Sequence, residues 1–306
     1  MTKAAPRYVG RFAPSPSGPL HMGSLVCALA SYLDARSSNG RWLLRIEDID
    51  PPREQAGATA EILKCLESHG LHWDDQPLYQ SERSHAYRDA LTQLGNANLS
   101  YSCNCNRARI KAIGGTYDKH CYHQPPPKTA ATATRFDMDR ALEALKVPAA
   151  YQFLDGIQGA QVQDLRSQGD FVIHRRDGLF AYQLAVVVDD IFQGITQVVR
   201  GADLLPMTAQ QCILFQCFGY TAPHYHHHRL ITDAEGNKLS KQNHAAAINK
   251  HRHEANLIQA ISLLSLAESH QHRKELEACD SKDLLSWAVQ QWNVENQPSD
   301  SSVLLE

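Results

Sequence analysis

The sequence predicts an α/β fold: a doubly wound parallel sheet carrying an inserted, cysteine-bearing module and a short helical subdomain at its C-terminal end. Three observations predict it. Strand-like and helix-like segments alternate over the first hundred residues, an order satisfied by a parallel sheet with crossover helices. The periodicity gives out between residues 101 and 169, around three closely spaced cysteines, and resumes at Phe171. Beyond Gln242 only two amphipathic stretches follow.

Tyr8 to Ala13 is short and apolar, and Pro14, Pro16, Gly18 and Pro19 break it into a loop. Leu25, Val26, Leu29, Tyr32 and Leu33 then recur at helical spacing up to Arg36. Arg41 to Ile46 reads as a strand, and Arg53 to His69 as a helix stopped by Gly70. From Tyr101 the text turns irregular, with Pro125-Pro126-Pro127 and the small-residue stretch Thr129 to Thr134. After Phe171 come a turn at Arg176-Asp177-Gly178, a helix from Ala181 to Val188 and a strand from Thr196 to Arg200. A helix from Thr208 to Phe218 follows, and the last two helices lie at Leu257 to Ala267 and Asp283 to Trp292. The expected division is therefore 1–100 with 170–242 as the main domain, 101–169 as the insertion and 243–306 as the helical subdomain.

Composition narrows the field. In 306 residues, 43% hydrophobic and 21% charged content supports a sizeable core and excludes a disordered chain. No apolar run reaches the roughly 18 residues a bilayer span needs; Leu179 to Val188, the densest, contains Tyr182 and Gln183. Met1 to Arg7 lacks an apolar segment, so no secretory signal is read and a cytoplasmic location is expected. A net charge of −3 gives no global electrostatic case for nucleic acid, which leaves a local basic face as the only electrostatic route to RNA.

Two loops carry the chemistry. The first, Arg11-Phe-Ala-Pro-Ser-Pro-Ser-Gly-Pro-Leu-His21-Met-Gly23-Ser24, ends a strand and opens a helix, the place where open α/β sheets bind phosphates. It matches neither the P-loop nor the dinucleotide glycine pattern. The second, Asn237-Lys238-Leu-Ser-Lys241-Gln242, sets two lysines three apart after a glycine turn, suited to a polyphosphate. Alone, the first reads as a proline-rich turn and the second as a solvated surface loop.

Paired in this order, they resemble the two signature elements of class I aminoacyl-tRNA synthetases. Arg11 to Gly18 and Leu44-Arg-Ile-Glu47-Asp-Ile-Asp50-Pro51-Pro-Arg resemble the glutamyl subgroup, and the likeness runs from about Tyr8 to about Ala246. The resemblance implies a Rossmann-like class I fold and a ligase that makes glutamyl-adenylate from L-glutamate and ATP with Mg2+. It implies catalytic roles for His21, Ser24, Lys238 and Lys241, and ATP contacts from His21, Gly23, Ser24 and Lys241. Glutamate would meet Arg11, Phe12, Ala13, Pro14, Ser15, Glu47, Tyr182 and Arg200. The residue types agree, because a dicarboxylate with one ammonium group wants arginine forks and one carboxylate. Without the family, Arg200 reads as a strand-end ion pair and Tyr182 as a core aromatic.

Of eight cysteines, Cys27, Cys65, Cys212, Cys217 and Cys279 read as small buried hydrophobes. Cys103, Cys105 and Cys121 fall close together, and in a reducing compartment they favour one structural zinc over a disulfide. A structural zinc takes four ligands. By chemistry His120 or His123 is the preferred fourth; resemblance to glutamyl-queuosine tRNA(Asp) synthetases implies Tyr117 instead, and all three stay open.

An anticodon-reading module after the lysine loop would need on the order of 100–150 more residues, and residues 243 to 306 are too few. The segment Ile173 to Asp190 and the Gln242 that replaces a serine also resemble the truncated, queuosine-directed family. A monomer that transfers glutamate to queuosine in the anticodon of tRNA(Asp) is expected. The alternatives are a shortened glutamyl-tRNA synthetase charging the 3′ end of tRNA(Glu), and a catalytically idle RNA-binding relative. The cluster His224-Tyr-His226-His227-His228 reads as a solvated, mildly basic strand edge, with His227 near the nucleotide.

Overall fold

In the computed structural model, residues 8–239, 245–267, 274–299 and 302–305 are described. β1 (Val9–Phe12) leads through the Pro/Gly loop into α1 (Met22–Ser37), and β2 (Arg41–Ile46) returns parallel to β1 with Phe12 opposite Leu44. α2 (Ala58–Ser68) starts five residues later than its apolar pattern suggests. Pro51–Arg53 forms a separate 3-10 turn, and Gly57, at φ 80°, starts the helix from a left-handed residue. β3 (Leu78–Tyr79) extends the parallel sheet beyond β2, and α3 (Ser84–Asn96) follows.

The expected irregular stretch is built of short elements. They are β4 (Ser100–Cys103), α4 (Arg107–Ala112), α5 (His120–His123), β5 (Ala133–Phe136), α6 (Met138–Leu145), β6 (Ala150–Asp155), β7 (Gly159–Asp164) and α7 (Leu165–Gln168). None exceeds eight residues, which is shorter than the window in which a period is readable. β4, β5 and β8 (Val172–His174) form an antiparallel sheet, and β6 and β7 a hairpin.

The alternation then resumes with α8 (Tyr182–Gln193), β9 (Gln197–Gly201), α9 (Thr208–Cys217), β10 (His224–His228) and β11 (Leu230–Thr232). α10 (His253–Leu263), α11 (Ser281–Gln291) and β12 (Ser302–Leu304) end the chain, β12 pairing in parallel with β11.

β9, β10 and β6 run parallel, with β7 as an antiparallel edge. β1 lies beside the start of β9, where the Thr196 N–H donates to the Val9 carbonyl at 2.9 Å. One half of the sheet therefore runs outward from β1 and the other from β9. In such a sheet the crevice for ligands opens at this junction, beyond the strands' C-terminal ends. Successive strand residues serve opposite faces. Trp42, Leu44 and Val199 pack with α1, α2, α10 and α11 on one side, while Leu43 and Val198 meet Cys212 and Tyr225 on the other. A second core joins α3, α6, α8 and α9 through Tyr87, Leu142, Leu184 and Ile213. Among the described residues, no helix is long and apolar enough to cross a membrane.

Candidate active site

A cavity of about 520 Å3 opens at the C-terminal ends of β1, β2, β9 and β10. All eight residues expected to bind glutamate line it: Arg11, Phe12, Ala13, Pro14, Ser15, Glu47, Tyr182 and Arg200. His21, Gly23, Ser24 and Lys238 line it too, whereas Lys241, with Ser240 and Gln242, lies outside the described residues.

The side of the cavity expected to take glutamate rests on buried charge. Arg11 Nε donates to Asp190 Oδ1 at 3.2 Å, and Arg45 Nη1 reaches the same oxygen at 2.7 Å. Burial alone would raise the Asp190 carboxyl, but the two guanidinium groups hold it below its usual value. Arg45 Nε stands 3.7 Å from Glu47 Oε1, too far for a hydrogen bond. Arg45 Nε and Nη2 have no hydrogen-bond partner among the described residues. Glu47 is thus a buried carboxyl with weak support: burial pushes it up to about 7, against the pull of Arg45 and Arg11. An ammonium group arriving beside it would add to the countercharge that Arg45 supplies from 3.7 Å. The main chain fixes its position, because the Glu47 N–H donates to the Pro14 carbonyl at 3.0 Å.

The side expected to take phosphate is the start of α1. His21 caps the helix, its Nδ1 accepting from the Ser24 N–H at 3.3 Å while Nε2 lies 3.0 Å from Ser24 Oγ. No acidic residue occupies the first turn, so the helix N-terminus keeps its affinity for anions. Gly23 permits close approach: a Cβ there would stand 3.2 Å from the His21 ring and 3.5 Å from the Leu239 carbonyl. Lys238 pairs with Asp203, which also lines the cavity.

Sequence reasoning missed the groups behind these side chains. Asp190 sits in the apolar period of α8, where the pair Asp189-Asp190 is the only hint. Arg200 donates from Nε to His227 Nε2 at 2.9 Å, from Nη1 to Gln211 Oε1 at 2.8 Å, and from Nη2 to Thr208 Oγ1 at 2.9 Å. The reading of 224–228 as a solvated edge is corrected. β10 lies between β6 and β9, and His227 and His228 are buried. A histidine-rich strand is tolerated inside because its rings are paired, His226 with Asp34 at 3.2 Å and His227 with Asp155 at 2.5 Å. His228, not His227, lines the cavity. Cys27, Cys217 and Cys279 are only half-buried, and Cys27 also lines the cavity.

A second cluster lies on β4 and α5. The sulfurs of Cys103, Cys105 and Cys121 all fall within 4.8 Å of one another. Tetrahedral zinc–sulfur bonds of about 2.3 Å set ligand sulfurs roughly 3.8 Å apart, so the residues fit a thiolate-bound zinc. The Tyr117 hydroxyl lies 3.5 Å from Cys103 Sγ and accepts from the Cys121 N–H at 2.8 Å. Among the described residues no histidine nitrogen joins the sulfur group. Arg135 Nε donates to Cys103 Sγ at 3.2 Å.

A family model for class I tRNA synthetases (E and Q), catalytic domain, matches residues 8–266. The Glutamyl-Q tRNA(Asp) synthetase of Klebsiella pneumoniae (strain 342) is 50% identical over 94% of both chains. That of Escherichia coli O157:H7 is 48% identical over 97% of this chain and 92% of its own. Among solved structures, a glutamate tRNA ligase from Elizabethkingia meningosepticum, in complex with its amino acid, superposes with a TM-score of 0.79 at 24% identity. It matches 98% of this chain and 67% of its own, a likeness of fold. With its cavity at the junction of the two half-sheets and half its residues shared with such relatives, the chain belongs to the class I aminoacyl-tRNA synthetases, within the glutamyl-Q tRNA(Asp) synthetase family.

Proposed function

We propose that the protein activates L-glutamate with Mg2+-bound ATP, without requiring tRNA, and transfers it to the queuosine base in the anticodon of tRNA(Asp). The observation that carries this reading is the single cavity that gathers Arg11, Arg200 and Glu47 beside the N-terminus of α1 and Lys238. In this reading Arg11 and Arg200 take carboxylates, Glu47 the ammonium group, and Phe12 to Ser15 with Tyr182 the remaining contacts. A glutamate carboxylate oxygen attacks the α-phosphorus of ATP and pyrophosphate leaves. His21, Gly23 and Ser24 with the free N–H groups of α1 hold the phosphates, and Lys238 and Lys241 meet the charge that builds in the transition state. For Lys238 this means exchanging Asp203 for phosphate. A hydroxyl of the queuosine cyclopentenediol then attacks the acyl carbon of the adenylate, an ester forms, the acyl–phosphate bond breaks, and AMP and the hydroxyl proton leave.

Residues 1–100 and 170–242 serve as the catalytic domain and 243–306 as a helical subdomain; 101–169 is the insertion, from which β6 and β7 extend the catalytic sheet beyond β10. A structural zinc held by Cys103, Cys105, Cys121 and Tyr117 would fix the fold of the insertion. The placement of the Tyr117 hydroxyl supports that ligand over His120 or His123. The protein works in the cytoplasm as a monomer. The test is ATP–pyrophosphate exchange without RNA. Glutamate is expected to drive it and glutamine and aspartate to do so poorly, since an amide would leave buried charge unpaired. Equal rates with glutamine would contradict the reading.

A further inference from the structure

The expected ligand-binding arginine, Arg200, is held from behind by a buried pair that the proposed chemistry does not use. His227 Nε2 accepts from Arg200 Nε at 2.9 Å, while His227 Nδ1 faces Asp155 Oδ2 at 2.5 Å. Arg200, His227 and Asp155 are each 3% exposed or less. The guanidinium N–H can only donate, so the ring nitrogen that meets it must carry no proton. The carboxylate opposite can only accept, so Nδ1 must carry the proton. Asp155 is thereby the group that selects the histidine tautomer. We propose that Asp155 and His227 are positioning residues for substrate recognition: the carboxylate sets the tautomer of His227, and the ring sets the direction of the Arg200 fork toward a carboxylate of the amino acid.

Three further observations support the assignment. Asp155 is itself immobilised, because its Oδ1 accepts the N–H groups of Ile157, Gln158 and His227 at 3.0, 2.8 and 3.1 Å. Its second oxygen is then left to the ring. Thr208 Oγ1 accepts from Arg200 Nη2 and lies 3.3 Å from His227 Nε2, closing the cage on the other side. Burial drives the His227 ring down to about 4 despite Asp155, and the charge of Arg200 opposes protonation as well. The ring therefore stays a neutral acceptor through the physiological range.

The inference rests on the reading of the cavity as a glutamate site, and the experiment separates the two. Asp155→Asn is nearly isosteric. Its oxygen must stay with the three backbone donors, so its amide nitrogen faces Nδ1 and drives the proton to Nε2. Two N–H donors then confront each other at Arg200. In glutamate-dependent ATP–pyrophosphate exchange, Asp155→Asn is expected to raise the KM for glutamate at least tenfold, with the KM for ATP little changed. His227→Leu should do the same, and His227→Gln, whose carbonyl can accept from Arg200 Nε, should recover most of that loss. Wild-type exchange that does not respond to glutamate would overturn the reading of the site. Wild-type exchange that does respond, with an unaltered glutamate KM in both Asp155→Asn and His227→Leu, would overturn the positioning role. Should Asp155→Asn not fold, the difference between His227→Leu and His227→Gln decides, and equal KM values in those two would overturn it.

Discussion

Glu47 shows how a residue's place can be legible in the sequence while its surroundings are not. Its position after the strand Arg41–Ile46 is readable from sequence, as are Arg11 in the loop motif and His21 at the helix start. What is not readable is that Arg45 lies beneath it with two nitrogens that have no hydrogen-bond partner among the described residues, and that Asp190 claims both Arg11 and Arg45. Those partners come from strands and helices far apart in the chain, and no local pattern encodes their meeting. The consequence is kinetic. With Glu47 pushed up to about 7, the empty site holds a proton there below neutrality, and an ammonium ligand must displace it. Glutamate binding should weaken as pH falls through 7, its KM rising toward about tenfold per pH unit at the limit of one displaced proton. Glutamate KM measured from pH 8.5 to 5.5, with the KM for ATP as the internal reference, checks this. A glutamate KM flat across that range would contradict it.

At the scale of elements, the longer helices α1, α2, α8, α9, α10 and α11 were legible from their apolar residues, and β1, β2 and β9 as short apolar runs whose side chains are buried on both faces of the sheet. The short elements of 101–169 were not, since six residues of strand or four of helix hold too few repeats to read. β10 failed for a different reason. Its composition is polar, and only the partners Asp34 and Asp155 make its burial possible. The cysteine spacing, by contrast, was readable because the three sulfurs that come together lie in one short stretch of chain, between β4 and α5. Protein purified without chelator is expected to hold one zinc per chain, and Cys103→Ser to lose most of it while protease cutting increases within 101–128. Tyr117→Phe should weaken zinc retention less than the cysteine change does. Metal analysis with no zinc in anaerobically prepared wild type would refute the assignment, and unchanged retention in Tyr117→Phe would exclude the phenol.

At the scale of the whole molecule, the C-terminal helices complete the catalytic sheet's core. Leu257, Ile261, Leu284 and Leu285 pack with α1, α2 and β2. Trp292 Nε1 donates to Asp34 Oδ1 at 2.9 Å, and Asp34 on α1 also receives Tyr8 and His226. One carboxylate thereby ties the C-terminal segment to α1, to the residue preceding β1 and to β10. Trp292→Ala would empty a buried aromatic site and leave Asp34 short of a donor, a cost of about 3–5 kcal/mol. Urea denaturation of the full chain measures it, and a loss under about 1 kcal/mol would show that the tail contributes little to the core.

The central claim concerns where the glutamyl group goes, and transfer of labelled glutamate tests it most directly. Three acceptors are offered: tRNA(Asp) containing queuosine, the same tRNA with guanine in its place, and tRNA(Glu). Label is expected on the first alone, and to persist after the 3′-terminal adenosine is removed. Phosphate contacts should dominate tRNA binding, so the yield should fall steeply with added salt despite the chain's net charge of −3. Label on tRNA(Glu) that vanishes with its terminal adenosine would contradict the claim and make the protein a shortened synthetase for tRNA(Glu).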